Sequence, residues 1–327
     1  MRRALAVAAA TLLLGGGLAA CAGEDRAAEP TETASAAASV FAIDADFPDP
    51  DVVPVDGGYA AFATGSHGLN IRYAFSEDLR SWRVDSRDAL PRLPAWASTG
   101  RTWAPDVVAA PASGPDAGGY LMYMTAQHTD SGRQCIGVAA ADAIDGEFAP
   151  VADEPLVCPV DEGGAIDAAT FDDVDGRRYL LWKTDGNCCG LDTWIEIAPL
   201  SDDGRELAGE PRRLIQQTLE WEGALVEAPT LVHRDGRYVL LYSANDYGSE
   251  AYTVGAATSE DLFGPYEKVD APVLVSGGEL RGPGGQDVVP TGAGDMIVFH
   301  SWDELFIYRG LVVRPLTWDD GVPRAGD

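Results

Sequence analysis

One unit recurs five times along this chain, and the recurrence limits the possible folds more than any other feature. Each copy opens on a small or acidic residue, often beside proline. An apolar run follows, then a glycine turn usually carrying Asp, then a second apolar run with an aromatic. The copies begin FPDPDVVPVDGGYAAFAT (Phe47–Thr64), TWAPDVVAAPASGPDAGGYLMYMTA (Thr102–Ala126), IDAATFDDVDGRRYLLWKT (Ile166–Thr184), VEAPTLVHRDGRYVLLYSAN (Val226–Asn245) and GGQDVVPTGAGDMIVFHSW (Gly284–Trp302). Their leading residues, Asp49, Trp103, Asp167, Glu227 and Gly285, lie 54, 64, 60 and 58 residues apart. A second motif, Ser76–Trp82 and Ser259–Tyr266 with a looser version at Asp145–Phe148, reads as a turn between outer strands. Helical periodicity is almost absent, and short apolar runs alternate with Gly, Asp and Pro turns. Five units of ~60 residues with about four strands each predict an all-β, five-bladed β-propeller. A β-sandwich would not predict so regular a repeat.

Composition narrows the partners. The 327 residues carry 52 acids against 23 Lys and Arg, a net charge of −29. Such a surface argues against nucleic acid or an anionic surface as partner and is more compatible with a neutral ligand or a cation. At 46% apolar residues the chain can bury a sizeable core. Arg2 and Arg3 precede a short apolar run, Ala4–Gly17, which ends in Leu18-Ala19-Ala20-Cys21. That segment resembles a bacterial lipoprotein signal at residues 1–20, which implies lipid on Cys21; an ordinary secretory signal is the alternative. Residues 21–44 are expected to be the anchor site and a flexible tether, and residues 45–324 the propeller. The expected location is the outer face of the bacterial membrane, or the medium, with lipid as the sole membrane contact and a monomeric chain.

Four further cysteines, Cys135, Cys158, Cys188 and Cys189, form an even set in an exported chain. They suggest disulfides, with Cys135–Cys158 favoured and Cys188–Cys189 left as a vicinal pair. A metal site is the rival reading, and no His lies near the vicinal pair in sequence.

Topology places the acids. Innermost strands of a propeller line a central channel and enter it from one face, so Asp49, Asp167 and Glu227 converge at one mouth. The repeat alignment leaves this uncertain by one residue. Each second strand runs back antiparallel, so the loop after it rims the same mouth. Those loops hold His67, His128, Asp185, Asn187, Asn245, Asp246, Tyr247, His300 and Trp302, and Trp103 joins them. They supply the aromatic faces and polar groups that a sugar pocket needs. Carboxyls gathered in a narrow mouth raise one another's pKa, so one stays protonated while another is ionised. That is the requirement for glycoside hydrolysis by an acid and a base.

Asp49-Pro50, Trp103-Ala104-Pro105-Asp106, Ile166-Asp167 with Asp172–Gly176, Glu227-Ala228-Pro229 and the closing run Arg309–Trp318 follow one another in the order and spacing of a known family. From about Asp46 to Pro323 the chain resembles family 43 of the glycoside hydrolases, five-bladed propellers acting on arabinose- and xylose-containing polysaccharides. The resemblance implies an inverting enzyme, an α-L-arabinofuranosidase or β-xylosidase, with endo-arabinanase activity possible. It implies Asp49 as general base, Glu227 as general acid and Asp167 as the residue that tunes and orients Glu227. Expected substrate contacts are Trp103, His67, Asn187, Asn245, Tyr247, Gln286, His300 and Arg309. The sequence departs from the family at Gly282–Gln286, where Gln286 stands in the region that often carries a metal-binding His. In place of that His, Gln286 is expected to hold a water or a polar network rather than a metal, so a central calcium ion is doubtful and no cofactor is assigned. Two alternatives remain: a related retaining fructan hydrolase, and a non-catalytic sugar-binding lipoprotein.

Overall fold

The structure, a computed structural model, describes residues 39–326. The expected signal segment 1–20, lipidation at Cys21 and most of the tether lie outside the described residues. The described chain is all-β: five four-stranded antiparallel meanders form the blades of a propeller. Blade 1 is β1 (Asp51–Val55), β2 (Gly58–Thr64), β3 (Ile71–Ser76) and β4 (Trp82–Val84). Blade 2 is β5 (Ala97–Ala109), β6 (Tyr120–His128), β7 (Gln134–Ala141) and β8 (Ala149–Pro150). Blade 3 is β9 (Ala165–Asp172), β10 (Arg178–Thr184), β11 (Trp194–Pro199) and β12 (Arg212–Gln216). Blade 4 is β13 (Val226–Arg234), β14 (Arg237–Ala244), β15 (Thr253–Ser259) and β16 (Glu267–Lys268). Blade 5 is β17 (Gly284–Thr291), β18 (Gly294–Trp302), β19 (Arg309–Asp319) and β20 (Val322–Ala325).

The core is a ring of wedges between neighbouring blades. Blades 1 and 2 meet through Phe62, Ile71, Met122 and Phe148, and blades 2 and 3 through Tyr123, Ile136, Leu180 and Trp182. Phe171, Leu181, Leu231 and Tyr242 join blades 3 and 4, and Leu241, Ile297 and Phe299 join blades 4 and 5. A second strand is therefore covered on both faces, which is why β10 and β14 read as continuous apolar runs rather than alternating ones. Residues 42 and 43, placed in the tether from sequence, belong to the packed body. Ala42 N–H donates to the Leu311 carbonyl at 2.8 Å, and Ile43 is 4% exposed against blade 5. Burying Ile43 draws the backbone onto the free edge of β19.

Each innermost strand takes the same step at the mouth. At this step one residue in each blade has a left-handed backbone: Asp49 (φ 52°), Ala104 (39°), Asp167 (57°), Ala228 (47°) and Gly285 (57°). The ladder slips by a residue at these steps, between Trp103 and Asp106, Glu227 and Thr230, and Gly284 and Asp287. Bulges of this kind re-aim side chains. The step settles the repeat alignment: Trp103 and Glu227 stand one residue before the equivalents of Asp49 and Asp167.

Side chains at the ends of the second strands satisfy the N–H groups freed by four of these steps. Asp49 N–H donates to His300 Nδ1 (3.1 Å), Ala104 N–H to Thr64 Oγ1 (2.8 Å), Asp167 N–H to Thr125 Oγ1 (3.2 Å) and Gly285 N–H to Ser243 Oγ (2.9 Å). Two residues deeper, carboxylates stitch blades together inside the channel. Asp51 accepts Val107 N–H (2.9 Å), Asp106 accepts Thr170 N–H (3.0 Å) and Asp287 accepts Val52 N–H (3.1 Å). The last bond closes the ring between blades 5 and 1.

Candidate active site

The mouth opens into a cavity of ≈ 530 Å³ that contains all three sequence-assigned acids. Each acid meets a different environment there.

Asp49 is built to stay ionised. Its Oδ2 accepts the Thr64 hydroxyl at 2.7 Å, and Arg309 Nη1 lies 3.3 Å from Oδ1. Burial pushes this carboxyl up, but the Arg309 guanidinium and the Thr64 hydroxyl outweigh burial and hold it well below the usual carboxylate range. Arg309 is itself held between aromatic faces, 5.1 Å from the Tyr247 ring and 5.7 Å from Trp302.

Asp167 is pushed the other way. Burial raises it well above the ordinary range, and the neighbouring Glu227 adds to the effect. Its Oδ2 accepts Ala228 N–H at 2.9 Å, which fixes the carboxyl beside blade 4. Glu227, 9% exposed, is gripped at both oxygens: Tyr252 OH donates to Oε1 (2.8 Å) and Lys183 Nζ to Oε2 (3.1 Å). Lys183 also reaches Asp185 Oδ1 at 3.2 Å. Chemically, the cavity pairs one ionised carboxylate with a second pair of carboxyls that disfavour a double charge. This suits transfer of one proton in and one proton out.

Among the expected sugar contacts, Trp103, Asn187, Tyr247 and Arg309 line the cavity. Four others do not. His67 is an exposed turn residue with φ 54°. Asn245, a residue type that tolerates its left-handed backbone (φ 74°), turns its amide onto the Trp221 carbonyl at 3.1 Å. His300 is fully buried behind Asp49 and stacks on Tyr252 at 5.8 Å. One nitrogen cannot both accept and donate: the backbone of Asp49 fixes its N–H toward His300 Nδ1, so Nδ1 is the acceptor and its 3.3 Å approach to Asp49 Oδ1 is a contact only. Burial, followed by Arg309, lowers the His300 pKa and keeps the ring neutral. Gly284 and Gly285 make room for this stack; a Cβ on Gly285 would lie 2.6 Å from His300 Nδ1.

Gln286 lies in the channel below the cavity. Its Nε2 donates to the Ala228 carbonyl (2.6 Å) and its Oε1 accepts Ser243 Oγ (2.8 Å). Its amide is therefore spent on joining blades 4 and 5. Nor do the channel carboxylates gather as a cation site. Among the described residues, the one compact group of potential ligands is His128, Cys135 and Cys158, and its two sulfurs are joined to each other. The residues present do not fit a central calcium ion, and no step is drawn through one. Cys188 and Cys189 are also joined, on a short 3-10 turn (Gly186–Cys189) at the cavity wall. Cys188 lines the cavity, and Arg133 Nη1 from blade 2 touches both sulfurs.

Sequence reasoning missed Thr64, Tyr252 and Lys183 as parts of this site. A signal existed for Lys183: it is the one charge in the run Tyr179–Thr184, which is otherwise fit for complete burial. Nothing local marks Tyr252.

The profile of the glycosyl hydrolases family 43 matches residues 42–323. The extracellular endo-alpha-(1->5)-L-arabinanase 1 of Bacillus subtilis is 26% identical over 300 residues, 84% of this chain and 86% of that one. A thermostable family-43 glycoside hydrolase superposes with a TM-score of 0.75 at 26% identity, covering 86% of this chain and 93% of that one. An endo-1,4-beta-xylanase from Bacteroides thetaiotaomicron superposes at 0.74, also 26% identical, over 88% and 96% of the two chains.

Proposed function

The chain belongs to glycosyl hydrolases family 43, and from that premise we propose that it is an inverting hydrolase which removes a terminal arabinofuranose or xylose unit from a glycan. The observation that carries this reading is the opposed treatment of two buried acids at one cavity: Asp49 lowered by Arg309, Asp167 raised by burial and by Glu227. Asp49, ionised, takes a proton from water as the water attacks the anomeric carbon. Glu227 gives its proton to the glycosidic oxygen as the C–O bond breaks, and the bonding electrons leave with that oxygen. Asp167 orients the blade 4 step through Ala228 and disfavours a second charge on the pair. The products are a free sugar of inverted configuration and the shortened glycan. Asp49 then returns its proton to solvent, and Glu227 takes one back.

The cavity of ≈ 530 Å³ is walled by Trp103, Asn187, Cys188, Tyr247 and Arg309. It falls within the ~300–1,000 Å³ of small-ligand pockets, which supports a terminal sugar over a long groove. The relatives named above act on arabinan and xylan, which supports a pentose. The segment Leu18–Cys21 supports lipid attachment outside the cytoplasm; a Cys21→Ser chain should then leave the membrane fraction.

The test is a screen of residues 39–327 against nitrophenyl α-L-arabinofuranoside and β-D-xyloside, with proton NMR on the first substrate turned over. One aryl pentoside is expected to be cleaved with the inverted anomer appearing first. A retained anomer would remove the base role of Asp49, and no turnover of any pentoside would remove the substrate class.

A further inference from the structure

Four of the five mouth steps obey one rule: a residue at one fixed position near the end of the second strand, opposite the residue before its own blade's step, accepts the N–H freed by the step in the next blade. Thr64, Thr125, Ser243 and His300 all can accept. The matching residue of blade 3 is Lys183, and an ammonium has no lone pair to offer. Asp167 takes over the duty, accepting Ala228 N–H at 2.9 Å. The fold thus needs no lysine here; a Ser or Thr would serve the step. Lys183 is nevertheless 1% exposed, and a buried ammonium persists only when paired. It has two partners, Glu227 Oε2 at 3.1 Å and Asp185 Oδ1 at 3.2 Å.

We propose that Lys183, held by Asp185, is a positioning residue for proton donation: it receives the carboxylate that Glu227 becomes when its proton leaves for the glycosidic oxygen. The inference rests on the reading of Glu227 as the acid. In the acid reading Glu227 carries the proton it will donate, and Asp185 keeps Lys183 paired until that proton leaves. As the C–O bond breaks, negative charge grows on Glu227 within reach of a fixed ammonium, and nothing has to reorganise to meet it. Tyr252 holds the other oxygen throughout. The remaining charged or titratable groups around this carboxyl are Asp167 from the blade 3 step, Asp49, His300 and Arg309 across the cavity, and Arg133 beyond Asp185. Asp167 and Lys183 therefore act on Glu227 in opposite senses. One disfavours its charge and the other favours it.

The experiment is the pH dependence of kcat for Lys183→Met, Lys183→Arg and Asp185→Asn, measured on an unactivated pentose oligosaccharide and on the nitrophenyl glycoside. Without the ammonium the acid keeps its proton to higher pH, so Lys183→Met should move the basic limb up by about one pH unit. It should also lower kcat ~10–100-fold on the oligosaccharide and less on the nitrophenyl glycoside. Asp185→Asn should move the limb down, and Lys183→Arg should leave it in place. Limbs that stay put, or that move the same way in Lys183→Met and Asp185→Asn, would overturn the proposal. If Lys183→Met does not fold, Asp185→Asn decides alone, and a limb unmoved or raised overturns it. Glu227→Gln separates the two failures. If this variant keeps the wild-type limb and rate on the oligosaccharide, the acid assignment itself falls. If it loses both while the Lys183 and Asp185 variants shift nothing, only the present proposal falls.

Discussion

Two layers of acid lie along the inner strands, Asp49, Asp167 and Glu227 at the mouth on blades 1, 3 and 4 and Asp51, Asp106 and Asp287 deeper in the channel on blades 1, 2 and 5, and the protein treats them differently. In the channel, Asp51, Asp106 and Asp287 do one job: each accepts a backbone N–H from the following blade. Their environments are alike, and burial raises all three, Asp106 and Asp287 to about 6. At the mouth no two acids share an environment. Asp49 faces a guanidinium, Asp167 an amide N–H, and Glu227 an ammonium and a phenol. Repetition maintained in the channel marks what holds the ring together. Repetition broken at the mouth marks where chemistry is done. Blade 4 shows the break most clearly, since Glu227 stands where the other blades set Pro48, Trp103, Ile166 and Gly284 before the step.

Removing a mouth acid should therefore abolish rate and spare the fold. Asp49→Ala is expected to lower kcat by ~10³–10⁴-fold on every substrate, with thermal unfolding close to wild type; a large drop in Tm would blur the division of labour between the layers. Channel substitutions should do the reverse. A carboxylate whose folded pKa lies above its unfolded value contributes stability that is complete below the unfolded pKa and is lost as pH rises through the folded one. For Asp106 and Asp287 the window runs from the ordinary 3.8 to about 6. Wild-type Tm should fall across that window, and the Asp106→Asn/Asp287→Asn chain, which keeps its acceptors, should fall less. A pair of parallel curves would show that these acids carry charge without penalty. The smallest effect belongs to the cavity wall. Cys188→Ser with Cys189→Ser should raise KM a few-fold and leave kcat near wild type, because the pair shapes the wall and does not touch the acids. His67→Ala should change neither constant, and a KM shift there would return His67 to the sugar site.

The blades were legible because five copies of a strand–turn–strand signal reinforce one another; so were the mouth acids, because topology carries equivalent residues to one place. What stayed hidden is what a repeat conceals or cannot encode. The one-residue offset between Asp49 and Glu227 comes from the bulge, a backbone event with no fixed residue type: Asp, Ala and Gly all occupy it. His300 and Gln286 were read as sugar contacts because they are polar and sit on the right strands. Both instead satisfy neighbouring backbone or side-chain groups, a duty that depends on partners across the blade boundary. Tyr252 reaches Glu227 from 25 residues downstream without a local pattern to announce it.

Asp49 stands near the start of the described chain, but the groups that cap its N–H and hold its charge, His300 and Arg309, follow 251 and 260 residues later. A nascent chain therefore carries its base for most of its synthesis without the means to use it. Only when blade 5 docks against blade 1 do shape and reactivity arrive together. Catalytic competence becomes a report on ring closure, and an activity assay on C-terminal truncations would time the last event of folding.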